Sequence, residues 1–202
     1  MVEATNTEEK ILLAAEKVFI SSGYDGARMQ EIADEAGINK AMLHYYFRSK
    51  DLLFARIFDE KAKYFFPEVK TLLESGKPFL QIMKDFVKVY IHFALGNPYI
   101  PIFIISTVNT ESKRDFIDRL PFKNMVIDKL LLAYQEAYAK GQVCKIEQPL
   151  QFLLSVVGMC VFPFLARPIL HHGLHIEADE FEQMMLLRIG EVQGYIEKIL
   201  KV

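Results

Sequence analysis

Several things are scarce in this sequence, and each scarcity closes a class of answers. Tryptophan is absent, and only two cysteines, Cys144 and Cys160, stand among 202 residues. Two cysteines build neither a disulfide framework nor a cysteine-rich zinc site, and they fit a reducing cytosol. Net charge is small: 24 Lys and Arg against 26 Asp and Glu leave −2. That excludes a chain that coats nucleic acid by bulk charge, but a local DNA site remains open, because position rather than sum decides. The first ten residues, MVEATNTEEK, hold no basic stretch and no small-residue cleavage site, so no secretory signal is expected. Unbroken apolar runs are missing too. Residues 89–110 lack charge but are interrupted by Gly96, Asn97, Pro98 and Pro101, and residues 148–166 by Gln148, Pro149, Gln151 and Pro163. A spanning helix needs ~20 mostly apolar residues. Buried helices explain both runs better, and a cytoplasmic protein with no membrane partner is expected. There is no phosphate loop, nucleophile elbow, HExxH or dinucleotide fingerprint, so neither an enzyme nor a cofactor is expected.

What is present is helical periodicity. Proline and glycine, 8 and 10 in number, fall mostly between periodic runs. Only residues 102–105 read as a strand, without an obvious pairing partner, so the chain is read as all-α. Asn6 with Glu9 suggests a capping pair opening a first helix near Asn6 or Thr7. Its inner face carries Ile11, Ala15, Val18 and Phe19, and Gly23 ends it. Short helices follow over about 28–36 and 40–47. Ser49 caps a fourth, which is expected to stop at Pro67. Longer helices are placed near 79–96, 99–108, 112–141, 148–171 and 177–201.

Residues 29–47, MQEIADEAGINKAMLHYYF, read as helix, tight turn, helix. Ile32 and Ala33 face inward, Ala36 lets the helices approach, and Gly37 tolerates the left-handed backbone of the turn. Ile38 plugs that turn, and Leu43 and Phe47, four apart, form the inner face of the second helix. This pattern is the grammar of a helix-turn-helix, whose second helix enters the major groove. The charges agree. Residues 36–50 contain Lys40, Arg48 and Lys50 and no acid, whereas residues 3–35 carry eight acids against Lys10, Lys17 and Arg28. The outer face of the second helix offers Asn39, Lys40, Ala41, Met42, His44 and Tyr45. Asn suits adenine, Lys suits guanine or phosphate, and Ala or Met suits a thymine methyl. Lys50 follows the Ser49 cap, at a helix N-terminus that favours phosphate.

Residues 7–54 resemble the DNA-binding domain of the tetracycline-repressor (TetR) family of bacterial regulators. The likeness rests on Ile11-Leu12, Ala14-Ala15, Phe19, Gly23-Tyr24, Ile32-Ala33, Ala36-Gly37-Ile38, Leu43, Tyr46-Phe47, Lys50 and Leu52-Leu53. It implies a three-helix helix-turn-helix domain over residues 1–50. Residues 51–202 are then a larger all-helical domain for effector binding and dimerisation. The chain departs from the family at three places. Ala27 stands where a helix-capping, phosphate-touching Thr is common, with Arg28 next to it as a charged substitute. His44 replaces a backbone-contacting Tyr, and Met42 a smaller polar residue. The imidazole of His44 can still donate to phosphate, and its charge would make binding pH-sensitive.

A short recognition helix reads few base pairs, so two copies on a palindromic operator are expected. The interface is placed in the last two helices, Leu150–Leu165 and the final one. There Phe181, Met184, Met185, Ile189, Val192 and Ile196 form an apolar stripe beside Gly190 and Gly194; the alternative is that this stripe packs within its own subunit. Apolar pockets with a few polar groups hold small effectors. The candidate lining residues are Phe86, Tyr90, Phe93, Phe103, Tyr134, Met159 and Phe162, with His92 and Asn109 as polar handles or core groups. The effector is read as small and apolar or aromatic. Pro163 and Pro168 are read as kinking the penultimate helix. His171, His172 and His175, as HHGLH, read as an exposed turn rather than a metal site. The function expected is a ligand-responsive, sequence-specific DNA-binding transcriptional regulator, most simply a repressor. The alternatives are a DNA-binding protein controlled by a protein partner, and an all-α carrier or enzyme with a structural hairpin.

Overall fold

A computed structural model of the chain describes residues 2–108 and 126–201. In chain order the described helices are α1 (Val2–Gly26), α2 (Met29–Glu35), α3 (Lys40–Tyr46), α4 (Lys50–Leu73), α5 (Phe79–Gly96), α6 (Ile100–Val108), α7 (Asp128–Ala139), α8 (Pro149–Leu165), α9 (Arg167–Leu174) and α10 (Ala178–Leu200). No strand occurs among the described residues, and residues 102–105 lie in α6. The protein is all-α, with an N-terminal helix-turn-helix. Two compact units part inside α4, between Tyr64 and Phe65, and the segment that begins at Asn97 and contains α6 belongs to the first unit.

The first unit closes around Ile11, Ala15 and Phe19 of α1, Ile32 and Ala33 of α2, Leu43 of α3, and Leu53, Phe54 and Ile57 of α4, all buried. Tyr99 and Ile100, at the start of α6, are buried with them. Tyr99 lies 5.6 Å from Phe54 and 6.1 Å from Phe19, ring centre to ring centre. Burying each large apolar side chain contributes roughly 1.5–3 kcal/mol. In the second unit α5 packs along α10; Met83, Val87 and Ile91 of the one and Met185, Val192 and Ile196 of the other are buried. The Gln193 side chain donates to the Lys84 carbonyl at 2.9 Å, and Lys84 pairs with Glu197 at 2.6 Å. α8 adds Phe152, Val156, Cys160 and Phe164 to this core.

Four boundaries differ from the sequence reading. α1 begins at Val2, so Asn6 lies inside the helix rather than capping it. Gly23 does break the helix, with φ of 68°, but one more turn follows to Gly26. α4 continues through Pro67 to Leu73. The missing proline N–H deprives the carbonyl of exposed Lys63, where solvent can take the bond, while Phe65, Phe66, Val69 and Leu72 are buried around the site. The long helix expected over 148–171 is two, α8 and α9, bent by 50°. The break falls at Ala166, and Pro168 lies in the first turn of the new helix, where an absent N–H costs nothing. Pro163 stays inside α8, buried. Its ring leaves the Met159 carbonyl without the usual helical donor, and Arg188 Nε donates to that oxygen at 2.6 Å instead. No single described helix is long and apolar enough to cross a membrane; α8 and α9 meet the length and composition requirement only as a bent pair.

Candidate functional site

The α2–α3 hairpin is built by local chemistry. Glu31 accepts the Arg28 backbone N–H at 3.1 Å and opens α2. At its end the Ile38 N–H reaches the Ala33 carbonyl at 3.0 Å and the Gly37 N–H reaches that of Asp34 at 3.1 Å. These two bonds close a helix around a left-handed residue, and Gly37 supplies it with φ of 67°. Asn39 then opens α3: its Oδ1 accepts the Met42 N–H at 2.8 Å. Leu43 is fully buried and Phe47 nearly so, as the four-residue spacing requires. Ser49 Oγ accepts the Leu52 N–H at 3.2 Å and caps α4.

This construction turns one face of α3 to solvent. Lys40, Ala41, Met42, His44 and Tyr45 are exposed, Tyr45 by 84%. Arg28, Asn39 and Arg48 are exposed beside them. Elsewhere on this unit several bases are paired: Lys17 with Glu35 at 2.9 Å, Lys61 with Glu16 at 2.8 Å, and Arg56 with Glu8 and Glu60. Among the described residues Arg28, Lys40 and Arg48 form no ion pair. Uncompensated cationic charge is thus gathered around α3. Arg48 was counted in the charge balance of the sequence but not as a contact. Its exposure at the end of α3 is the signal that adds it.

Two of the sequence candidates have other tasks. The Asn39 carbonyl oxygen is engaged in capping, so only its amide N–H group is left for a base. Bidentate reading of adenine needs both. Asn39→Ala should therefore lower stability by about 1 kcal/mol, whereas Asn39→Asp, which keeps the cap, should not. Thermal melts of the two variants check this, and equal melting points would remove the capping role. Lys50, expected at phosphate, is half-buried, and its ammonium donates to the carbonyls of Tyr24 at 2.6 Å, Ala27 at 3.0 Å and Asp25 at 3.3 Å. It also lies 4.5 Å from the centre of the Tyr24 ring. The Tyr24 hydroxyl donates to Asp51. Burial, and then that carboxylate, hold the phenol well above its ordinary value.

The proposed pocket residues do not form one set. Phe86, Tyr90 and Phe93 of α5 join Phe65 in an aromatic cluster, with Phe65–Phe93 at 4.6 Å, Phe65–Tyr90 at 6.2 Å and Phe86–Tyr90 at 6.3 Å. Burial raises the Tyr90 phenol and pushes the nearby Cys160 thiol up to about 12, so Cys160 stays a neutral, unreactive thiol. Tyr134 sits elsewhere. Its ring lies 5.7 Å from Phe79, and its hydroxyl accepts the Ile146 N–H at 2.6 Å, pinning the connection between α7 and α8. Met159 is half-buried. Phe162 does not line an interior: it is 64% exposed, because it follows Leu150 and Leu154 on the outer side of α8. Phe103 belongs to α6 in the other unit, and its side chain is outside the description. His92 is exposed and bonded to its own helix at the Lys88 carbonyl, 2.8 Å, so it is no inward handle. Asn109 lies outside the described residues. His171, His172 and His175 are exposed around the end of α9, with His175 in the left-handed conformation.

The apolar stripe expected at the subunit interface faces its own core. Phe181, Met185, Val192 and Ile196 are buried, and Met184 and Ile189 half-buried. A second set points outward. Leu150, Leu154 and Phe162 on α8 are exposed, as are Leu186, Leu187, Tyr195 and Ile199 on α10, Leu187 by 74%.

A capped hairpin that buries one face and presents a cationic, polar face of its second helix has the build of a helix-turn-helix. Residues 11–57 match the family described as bacterial regulatory proteins, tetR family. Over that stretch the chain is similar to that family. It is 29% identical over 170 residues to the HTH-type transcriptional repressor BepR of Brucella suis, covering 77% of this chain and 79% of that one. It is 36% identical over 77 residues to the HTH-type transcriptional repressor NicS of Pseudomonas putida, a stretch of 38% of this chain. There it spans only 36% of the relative's length. A TetR transcription regulator from Haloarcula marismortui shares the fold over 98% of this chain and all of its own, with a TM-score of 0.66 at 18% identity.

Proposed function

We propose that this protein is a homodimeric transcriptional repressor that binds a palindromic operator through α3 and is released by a small effector. The observation that carries the reading is the exposed face of α3, with Lys40, Ala41, Met42, His44 and Tyr45 turned to solvent beside the unpaired cations Arg28 and Arg48. In this reading Lys40, Arg28 and Arg48 neutralise phosphates, while Ala41, Met42, His44 and Tyr45 meet base edges or the sugar-phosphate chain. The dimer forms through the outward apolar faces of α8 and α10. Exposed apolar side chains concentrated on two neighbouring helices mark a protein contact. The effector meets the aromatic cluster of Phe65, Phe86, Tyr90 and Phe93, whose chemistry suits an apolar or aromatic molecule. Binding there works only if the effector prefers the DNA-free state.

The test is selection of bound sequences from random duplex DNA. Wild type should return a two-fold palindrome, and recovery of no sequence would refute the reading. Lys40→Ala should bind the recovered operator more weakly, and the slope of log affinity against log salt should fall by about 0.9, one phosphate contact. An unchanged slope would assign Lys40 to bases.

A further inference from the structure

We propose that Lys50 is a positioning residue for operator binding: it clamps the entry and exit of the helix-turn-helix together and contacts no phosphate itself. The inference rests on the DNA-binding reading above. An ammonium group has three N–H donors. Here they meet three carbonyl oxygens, those of Tyr24, Asp25 and Ala27, at 2.6–3.3 Å, and the charge lies over the Tyr24 ring. These oxygens cluster at the last turn of α1, the negative end of its dipole. Lys50 itself is the first residue of α4, directly after the Ser49 cap that follows α3. One side chain therefore ties the chain just before Arg28 to the chain just after Arg48. Ala27, buried and bonded through its carbonyl, immediately precedes Arg28. Without the clamp, the Arg28 turn and the start of α2 lose their anchor, and the cation beside α3 no longer sits at a fixed place. A phosphate contact by Lys50 would require breaking these bonds.

The experiment measures operator binding across a salt series for wild type, Lys50→Met, Arg28→Ala and the double variant, well below each protein's unfolding midpoint. Wild-type binding comes first; its absence would sink the DNA-binding reading rather than this one. Lys50→Met should bind about tenfold more weakly, with a salt slope reduced by no more than about 0.9, the one phosphate that a misplaced Arg28 gives up. Arg28→Ala should reduce the slope by about 0.9. The double variant should be little worse than the poorer single variant, because a misplaced Arg28 has little left to lose. A simple loss of stability would not produce that coupling. Slope losses that add in the double variant, to about 1.8 in all, would overturn the proposal, as would unchanged affinity. If Lys50→Met fails to fold, Lys50→Arg decides. Arginine keeps the charge for a phosphate, but its planar fork cannot converge on three carbonyls. Loss of binding in that variant supports the clamp, and full binding refutes it.

Discussion

Changing both Phe162 and Leu187 to glutamate is expected to yield a folded monomer that binds the operator at least ~100-fold more weakly than wild type. Both side chains face solvent, at 64% and 74% exposure, so neither supports the core of its own subunit. In the proposed dimer they lie on the two helices that meet the second copy. Four buried carboxylates, two from each chain, would have no partner there, and an unpaired buried charge is strongly unfavourable. A monomer retains one α3 and loses the intramolecular advantage of the second half-site. Sedimentation analysis and operator binding on the same sample check the prediction. A variant that stays dimeric would move the interface elsewhere. A monomer that still binds the palindrome with full affinity would remove the need for a dimer.

Leu43→Ala should remove roughly 2–5 kcal/mol from the stability of the first unit. Leu43 is fully buried, on the face of α3 that packs against α2 where Ile32 and Ala33 are also buried. Alanine leaves a cavity at the centre of a small three-helix core, whose total stability is on the order of 5–15 kcal/mol. Operator binding should disappear on warming before the second unit unfolds. Tyr45→Ala is the control. It lies two residues away on the opposite face, 84% exposed, and should change stability by no more than about 0.5 kcal/mol while weakening DNA binding. Denaturant melts separate the two. Equal stabilities would mean that α3 contributes nothing to the core.

The hairpin was legible because its determinants are local. Gly37 for the left-handed turn, Ser49 as a cap, and Leu43 with Phe47 on one face all act within a few residues of where they stand. Reading Asn39 as a base contact missed that the same oxygen serves the cap. Lys50 hid its carbonyl partners for a different reason. Its partners lie 23 to 26 residues earlier in the chain, and nothing in its neighbourhood signals them. The penultimate helix posed a third difficulty. α8 is apolar on almost every side, so composition cannot say that Cys160 faces the core and Phe162 the solvent. The final helix is amphipathic, but its better stripe proved to be the one that faces α5.

The all-α class, the position of the helix-turn-helix, its turn, the Ser49 cap and the identity of its outward face followed from the sequence by itself, since each depends on backbone preferences and spacing over one or two helical turns. Tertiary structure alone decided that Tyr99 and the start of α6 return to the first unit's core. It also decided that Lys50 serves backbone carbonyls, that the Met159 carbonyl left open by Pro163 is taken by Arg188, and which apolar residues of α8 and α10 remain uncovered. These are matters of which distant groups meet. A hydrogen-bond donor or an apolar side chain has the same local chemistry whether it finds its partner or not, and only the packed chain supplies the partner.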